Sequence, residues 1–127
     1  MRKYKATIIG LGLIGGSLAK ALREKLGLSD IIAVDTDKQA IEAALKDGVI
    51  AKGKEIPDSS VYASDVIFIC TPVKQIPGYI AMLAPYVRDG CIITDAGSTK
   101  DEIIQYVNKM ADPPCFIGGH PMAGTEK

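Results

Sequence analysis

Short apolar runs alternate along the chain with stretches whose apolar residues recur every three or four positions. This alternation is typical of parallel β-strands joined by helical crossovers. The predicted strands are residues 6–9, 31–34, 66–70, 91–94 and 115–117. Since the run 66–70 is apolar on both faces, it suits a central strand of a parallel sheet. The pattern predicts an α/β domain with a doubly wound, mainly parallel sheet and helices on both faces.

Helical spacing occurs between these runs, in residues 14–26, 40–45, 74–87 and 99–110. Gly27 and Gly48 follow the first two stretches and are suitable residues at which a helix ends. Pro77 in the third stretch is compatible with a helix only in its first turn. The weakest part of the prediction is 49–63, where we expect a short strand at 49–51 and then a loop or partial helix.

Composition limits the class of protein. A chain of 127 residues that is 47% hydrophobic has the size and the core of a single globular domain. Its fifteen basic residues balance fifteen acidic ones without a charged run, which argues against nucleic-acid and membrane partners. No signal peptide or membrane span is predicted.

Cysteine and histidine usage points to a reducing compartment. Cys70, Cys91 and Cys115 are separated by more than twenty residues, and each lies in or beside an apolar run. This spacing favours reduced core thiols in a cytoplasmic protein over disulfides. With a single histidine and no paired cysteines, we expect no metal site.

The last ten residues are rich in glycine and contain a proline, and no further predicted element follows the strand at 115–117. A domain seldom ends in this way. We therefore expect the chain to be a piece of a longer protein, with residues 1–127 forming one domain.

A glycine-rich segment lies between the first predicted strand and the first predicted helix: Gly10, Leu11, Gly12, Leu13, Ile14 and Gly15. In this context the three glycines match a dinucleotide-binding motif. The first glycine permits a tight turn, the second lets the backbone approach a pyrophosphate, and the third lets the helix pack close to the strand. The helix N-terminus then attracts the phosphates. The alternative is a glycine turn without a ligand.

Asp35 ends the second predicted strand, twenty residues after Gly15. A carboxylate at this place can accept hydrogen bonds from the ribose hydroxyls of an adenosine and repels a 2′-phosphate, which favours NAD over NADP. Lys38 is the one nearby cation that would weaken this preference. Alternatively, Asp35 and Asp37 cap the following loop, a role that suits Asp37 better.

Further candidates follow two other predicted strands. Thr71 and Pro72 come directly after the strand 66–70, and we expect them to border the ribose and nicotinamide side of the cofactor. Contact through their backbone alone is equally compatible with the sequence. Ser98 precedes the predicted helix 99–110, so its hydroxyl faces the crevice if Thr99 is the N-cap. Alternatively, Ser98 is itself the cap.

His120 lies between two glycines and a proline, after the last predicted strand. Such loops often carry functional residues. An imidazole titrates near neutrality and can take a proton from a hydroxyl while a hydride leaves the same molecule. The alternative is a structural histidine.

Three segments carry a family resemblance: GLGLIGGSLA at 10–19, DAGSTK at 95–100 and GGHPMAGTEK at 118–127. The chain resembles the N-terminal, nucleotide-binding domain of prephenate dehydrogenases over essentially its whole length. The third segment is the most specific. The resemblance implies a Rossmann-like fold and an NAD-dependent oxidative decarboxylation of prephenate to 4-hydroxyphenylpyruvate in tyrosine biosynthesis.

The same resemblance implies roles for four residues. His120 matches the histidine that hydrogen-bonds the ring hydroxyl of prephenate and assists its deprotonation. Ser98 matches a serine that positions this hydroxyl near the nicotinamide, and Thr125 and Glu126 match residues at the edge of the substrate site. Family members also have a helical C-terminal domain that supplies the dimer interface and a carboxylate-binding arginine. Without it, we expect the present chain to be weakly active or inactive.

Three alternatives to this function stay open. Arogenate can replace prephenate as the substrate within the same family. Another dehydrogenase of similar architecture, acting on hydroxy or imino acids, is a second alternative, which the placement of His120 disfavours. A regulatory module that binds NAD without turnover is the third.

Overall fold

The computed structural model describes residues 4–95, 105–111 and 113–117. Its strands are β1 Lys5–Ile9, β2 Asp30–Val34, β3 Lys52–Lys54, β4 Val66–Ile69, β5 Ile92–Asp95 and β6 Cys115–Ile117. They form one sheet in the order β3-β2-β1-β4-β5-β6, and all five pairings are parallel. The predicted α/β fold with a parallel sheet is confirmed, and each strand except β3 lies within one residue of its predicted bounds.

Helices connect these strands: α1 Leu13–Leu26, α2 Lys38–Lys46, α3 Ser59–Tyr62 and α4 Ile76–Leu83. A 3₁₀ turn, Val73–Gln75, precedes α4, and residues 105–108 are also helical. The beginning of the helix predicted over 99–110, residues 99–104, lies outside the described residues. None of the helices in the described ranges combines the length and the hydropathy that crossing a lipid bilayer requires.

The hydrophobic core has two layers because both faces of the sheet are covered. Ala6 and Ile8 of β1 pack in the same cluster as Ala19 and Leu22 of α1. Ile9, whose side chain points to the opposite face, belongs to a second cluster that includes residues of α3 and α4. This alternation confirms that helices lie on both faces, as a parallel sheet requires.

Local sequence explains the bounds of α1 and α2. Gly27 ends α1 in the left-handed conformation, with φ at 69°, and its N–H donates to the Arg23 carbonyl. Asp37 caps α2, accepting hydrogen bonds from the backbone N–H groups of Gln39 at 3.0 Å and Ala40 at 3.4 Å. The capping role predicted for Asp37 is therefore confirmed.

The helix predicted over 74–87 is shorter than expected. α4 ends at Leu83, two residues before Pro85. Because proline lacks an N–H and its ring collides with the preceding turn, the helix does not continue through it. Pro77 lies in the first turn of α4, the only position that the prediction allowed.

The strand predicted at 49–51 is wrong in position. β3 lies three residues later and pairs with Ile32–Val34 of β2. Its sequence, Lys-Gly-Lys, has no apolar residue to signal a strand. Gly53 faces Ile41 of α2 so closely that an added Cβ would lie 2.1 Å from Cγ2 of that isoleucine. Glycine at this position therefore lets α2 pack closely on the strand.

The three cysteines are free thiols, but one prediction about them is wrong. Cys91 is buried and Cys70 half-buried, whereas Cys115 is exposed on the edge strand β6. An edge strand has a neighbour on one side only, so its residues are less covered than those of the central strands.

Candidate functional site

A crevice opens where the chain reverses its direction across the sheet. β1 and β4 are neighbours, yet the chain runs outward from β1 through β2 and β3 before it returns to β4. Two hydrogen bonds join the carboxyl ends of β1, β2 and β4. The Gly10 N–H donates to the Val34 carbonyl at 2.8 Å, and the Cys70 N–H donates to the Ile9 carbonyl at 2.7 Å. Ligands of open α/β sheets bind at such a reversal point, beyond the carboxyl ends of the strands.

Two glycines of the loop after β1 are required by the packing of the chain itself. Gly10 has φ at +95°, and a Cβ there would lie 3.1 Å from backbone atoms of Cys70. At Gly15 a Cβ would lie only 1.8 Å from the Gly10 carbonyl oxygen. The loop therefore turns tightly at Gly10 and brings α1 against β1 at Gly15, as the motif predicts.

Gly12 is different, because nothing in the described structure requires a glycine there. Its φ of −64° suits any residue, and no heavy atom that a Cβ would meet lies within 4 Å. It is also the N-cap of α1, yet it has no side chain to cap the helix. The space that a side chain would fill lies at the helix N-terminus, where backbone N–H groups attract an anion.

Asp35 links the end of β2 to the glycine loop. Its Oδ2 accepts a hydrogen bond from the Leu11 N–H at 2.7 Å, and its Oδ1 accepts one from the Asp37 N–H at 2.9 Å. The side chain therefore holds the loop and also makes the turn to α2, so both interpretations of Asp35 have a structural basis. Since each carboxylate oxygen can accept two hydrogen bonds, both keep acceptor capacity for a ligand.

A cleft of about 260 Å³ joins these residues. Gly10, Gly12 and Asp35 line one side. Thr71 and Pro72 line it too, as residues that follow β4. The structure therefore brings together five predicted site residues in one cleft.

Other predicted residues of the loop lie elsewhere. Leu11, Leu13 and Ile14 do not line the cleft. Leu13 is 89% exposed in the first turn of α1, and Ile14 follows it on the helix surface. Their side chains are therefore placed outside the cleft, whereas the backbone of the loop passes along it.

Thr71 carries an unusual polar atom. Its Oγ1 is buried but has no hydrogen-bond partner among the described residues. A buried hydroxyl without a partner is unfavourable unless a ligand or water completes it. Together with the open space at Gly12, this atom shows that the cleft fits a ligand that carries hydrogen-bonding groups.

The sequence analysis did not assign Val34, Thr36, Gln75 or Tyr79 to the site, although all four line the cleft. Gln75 and Tyr79 are four residues apart, a spacing that places two side chains on one face of a helix. That spacing is the available signal, but it does not show which face of the predicted helix 74–87 is turned toward the cleft.

Cys70 also lines the cleft, where its chemistry is that of an unreactive thiol. Burial, and to a lesser extent the charge of Asp95, raises the pKa of Cys70 to about 11. The thiol therefore stays protonated at neutral pH, and a nucleophilic role is disfavoured. Within the described ranges, no group of three or more His, Cys, Asp or Glu side chains is arranged to hold a metal ion.

The remaining predicted site residues, Ser98, His120, Thr125 and Glu126, lie outside the described residues. Their proposed roles rest on the sequence. Among the residues predicted to bind the cofactor, the described cleft contains Gly10, Gly12, Asp35, Thr71 and Pro72.

A larger groove of about 590 Å³ lies toward the amino ends of β4 and β5, away from the cleft. Its lining is mostly apolar and includes Leu22 and Leu26 of α1, Val66 and Phe68 of β4, and Ile92 of β5. Val66 and Ile92 are the first residues of their strands, and Leu22 and Leu26 lie in the C-terminal half of α1. Because ligands of open α/β sheets bind beyond the carboxyl ends, the smaller and more polar cleft is the candidate site.

Comparison with known proteins shows the family to which the chain belongs. The chain is 40% identical to a prephenate dehydrogenase of Bacillus subtilis (strain 168), covering 100% of this chain and 35% of that protein. Among solved structures, the prephenate dehydrogenase from A. aeolicus in complex with hydroxyphenyl propionate and NAD+ matches with a TM-score of 0.83 at 29% identity. That match covers 100% of this chain and 44% of the other.

The arogenate dehydrogenase of Synechocystis is similar as well, with a TM-score of 0.81 and 34% identity over 97% of this chain and 42% of the other. The chain thus spans less than half the length of each of these relatives. A family model described as the nucleotide-binding domain of prephenate dehydrogenase matches residues 18–127. The chain therefore belongs to the prephenate dehydrogenase nucleotide-binding domain family.

Proposed function

We propose that this chain is the NAD-binding domain of a dehydrogenase that converts prephenate to 4-hydroxyphenylpyruvate by oxidative decarboxylation. The observation that carries the proposal is the open space at Gly12, at the N-terminus of α1 and in the same cleft as the Asp35 carboxylate. A helix N-terminus attracts a pyrophosphate, and a carboxylate at the end of the second strand accepts hydrogen bonds from ribose hydroxyls.

Each part of the cleft has a task in this proposal. The glycine loop holds the pyrophosphate at Gly12, and Asp35 binds the adenosine ribose. The Thr71 hydroxyl, which has no partner among the described residues, donates to the bound dinucleotide. Since Thr71 and Pro72 line the cleft together with Asp35, they border the adenosine half and not only the nicotinamide side.

The substrate residues complete the reaction. When bound, NAD supplies the hydride acceptor. His120 accepts the proton of the ring hydroxyl as hydride leaves the carbon that bears this hydroxyl. Loss of the ring carboxylate as carbon dioxide then sends the electron pair of the broken bond into the ring, which becomes aromatic, and the ring oxygen takes a proton back from His120. Ser98 positions the hydroxyl, and Thr125 and Glu126 bind at the edge of the substrate site. Support for these four roles comes from the family resemblance.

The proposal also concerns the part of the full-length protein that this chain does not include. The chain spans 35% of the Bacillus subtilis relative. We propose that a helical domain beyond residues 1–127 supplies the substrate-carboxylate site and a homodimer interface. A cytoplasmic enzyme of tyrosine biosynthesis, with a small-molecule substrate and no nucleic-acid or membrane partner, is consistent with the balanced charge of the chain.

Arogenate is the second candidate substrate. The observation that supports arogenate is the 34% identity to the Synechocystis arogenate dehydrogenase. Both substrates share the ring that becomes aromatic, so the cleft described here serves either of them.

The test uses the full-length protein with each substrate. NADH formation from prephenate, greater than that from arogenate at equal concentration, is the expected result. The reverse order would assign the enzyme to arogenate. If NAD binds but neither substrate yields NADH, the proposed reaction is wrong, and the protein is either a regulatory module or a dehydrogenase for another substrate. If calorimetry detects no NAD binding, the proposal is wrong.

A further inference from the structure

We propose that Glu55 is a second determinant of cofactor preference, which withholds Lys38 from the 2′-phosphate of NADP by holding it in an ion pair. The inference rests on the proposed function, because it requires that the adenosine ribose binds at Asp35. It adds a determinant outside the cleft, in the segment that follows β3.

The segment after β3 lies beside Asp35. β3 pairs with the end of β2, and the Asp35 N–H donates to the Lys54 carbonyl at 2.9 Å. Glu55 is the next residue, so it adjoins the place where β2 ends and the turn to α2 begins. A side chain in this segment is therefore near the ribose hydroxyls that Asp35 would bind.

Lys38 approaches the same place from α2. It is the first residue of that helix, three positions after Asp35, and its side chain is 77% exposed. Thr36, in the turn between these two residues, lines the cleft. The hydrogen bond between an ammonium and a phosphate is assisted by charge and is therefore strong. A free lysine at this position would favour NADP.

In the structure, however, Glu55 engages this cation. Nζ of Lys38 lies 3.8 Å from Oε2 of Glu55, whose side chain is 52% exposed. The contact is longer than a direct hydrogen bond, and exposed ion pairs of this kind are weak. A 2′-phosphate would have to draw Lys38 away from Glu55, while the carboxylate left behind would repel it. Glu55 therefore favours NAD, and its removal releases the lysine.

The other cation beside Asp35 is held more firmly. Nζ of Lys54 lies 3.0 Å from Oδ2 of Asp58, and this hydrogen bond is the largest cause of the lowered pKa of the Asp58 carboxyl. Asp58 also accepts a hydrogen bond from the Ser60 N–H at 3.0 Å as the N-cap of α3. Since the helix cap fixes this carboxylate, Lys54 stays with it. Lys38, in the weaker pair, is the cation that one substitution can release.

The test measures binding of NAD and NADP to the full-length protein by calorimetry. The parent variant is Asp35→Asn, which keeps an acceptor for the Leu11 N–H but removes the charge that repels a 2′-phosphate. Adding Glu55→Gln should raise NADP affinity by about three- to tenfold and change NAD affinity by less than about twofold. Adding Lys38→Gln as well should remove most of this gain, because the released cation is then absent.

Glu24→Gln in the same parent is the matched control. Glu24 is an exposed carboxylate near the C-terminus of α1, so its substitution changes the net charge equally at a distance from Asp35. Salt concentration gives a second measurement, because salt screens exposed charges. The gain in NADP affinity from Glu55→Gln should be smaller at about 1 M salt than at about 0.1 M salt.

The outcomes separate the inference from the proposed function. If wild type binds no NAD, the proposed function fails. If wild type binds NAD, but Glu55→Gln leaves NADP affinity within about twofold of its parent or NADP binds to no variant, the inference is wrong while the proposed function stands. A gain that persists in full after Lys38→Gln would assign the effect to the charge of Glu55 alone and contradict the inference. An equal gain in Glu24→Gln would contradict it as well.

Discussion

At the scale of single residues, the glycines after β1 separate folding from binding. Gly15 has no space for a Cβ, whereas Gly12 has open space on the side where a Cβ would point. We expect Gly15→Ala to lower the stability of the domain by about 1–3 kcal/mol, as overpacking does. Gly12→Asn adds a favourable N-cap residue and should leave stability unchanged or slightly raised.

The Gly12→Asn variant also tests NAD binding. In the Gly12→Asn variant, the new asparagine side chain would occupy the space at the N-terminus of α1, so NAD binding should become undetectable in a domain that still folds. Thermal unfolding and calorimetry on both variants make the measurement. Normal NAD affinity in Gly12→Asn would remove the phosphate site from this loop.

We expect Asp35 to give the site its preference for NAD over NADP. A carboxylate near the ribose repels a 2′-phosphate, by a few kcal/mol at an effective dielectric of about 20. Asp35→Ala should therefore reduce the ratio of NAD affinity to NADP affinity by at least about tenfold. It should also weaken the binding of NAD itself. Asp35→Asn is the matched control, since it keeps an acceptor for the Leu11 N–H but not the charge. Equal affinity of wild type for both cofactors would contradict this role.

Substitution of His120 should impair catalysis without impairing cofactor binding. Proton transfer typically contributes about 10²- to 10⁴-fold to an enzymatic rate. In the full-length protein, His120→Asn should lower kcat by that factor and leave the Kd for NAD nearly unchanged. A kcat within about twofold of wild type would make the histidine structural.

Some residue-level features follow from local sequence and others do not. Asp37 as a cap, and Gly27 as the end of α1, depend on the few residues around them and were predicted. The bond between Asp35 and the Leu11 N–H joins residues 24 positions apart, and it depends on how β1 and β2 pair. Sequence spacing shows that Asp35 reaches the loop, but it does not show which atoms meet.

At the scale of elements, the contact between α2 and β3 gives a further prediction. Gly53→Ala would place a methyl group 2.1 Å from Cγ2 of Ile41. We expect a loss of about 1–3 kcal/mol in the free energy of unfolding, measured by urea titration. Leucine has no second carbon on Cβ, so Gly53→Ala with Ile41→Leu should recover part of the loss. A double variant no more stable than Gly53→Ala would show that another contact causes the strain.

The elements predicted best are those with a strong apolar pattern. The central strands are buried on both faces, so nearly every residue in them is apolar and their ends are easy to locate. β3 is an edge strand, Lys-Gly-Lys, in which Gly53 leaves room for Ile41 of α2, a tertiary contact that local pattern does not reveal. α4 was extended too far because the apolar spacing continues past Pro85, although the helix does not.

At the scale of the whole molecule, the described cleft contains the cofactor side of the proposed site. Substrate orientation can account for about 7–11 kcal/mol of a reaction barrier. If another domain clamps the substrate carboxylates, residues 1–127 alone should bind NAD but oxidise prephenate weakly or not at all. NADH formation by this chain and by the full-length enzyme provides the comparison. Equal turnover would place the substrate site entirely within these residues.

Whole-fold prediction succeeded because alternating strands and helices permit few arrangements. The sequence indicated a parallel sheet and its cleft, and the pairing of β1 with β4 then brought Gly10 beside Cys70. Gln75 and Tyr79 were missed because they reach the cleft from the 3₁₀ turn and from α4, which follow the predicted motif. Their place depends on the packing of α4, which hydrophobic spacing describes only in outline.

The central position of β1 has a consequence for how the chain folds during synthesis. β1 is made first, but its two neighbours are β2 and β4, and Ala6 pairs with Val66 across sixty residues. On the ribosome, one edge of this apolar strand therefore stays without its partner until β4 has left the exit tunnel. Such non-local pairing slows folding and exposes an unpaired strand edge to other nascent chains. The strand that anchors the finished sheet is thus the one most in need of protection by chaperones while the chain is being made.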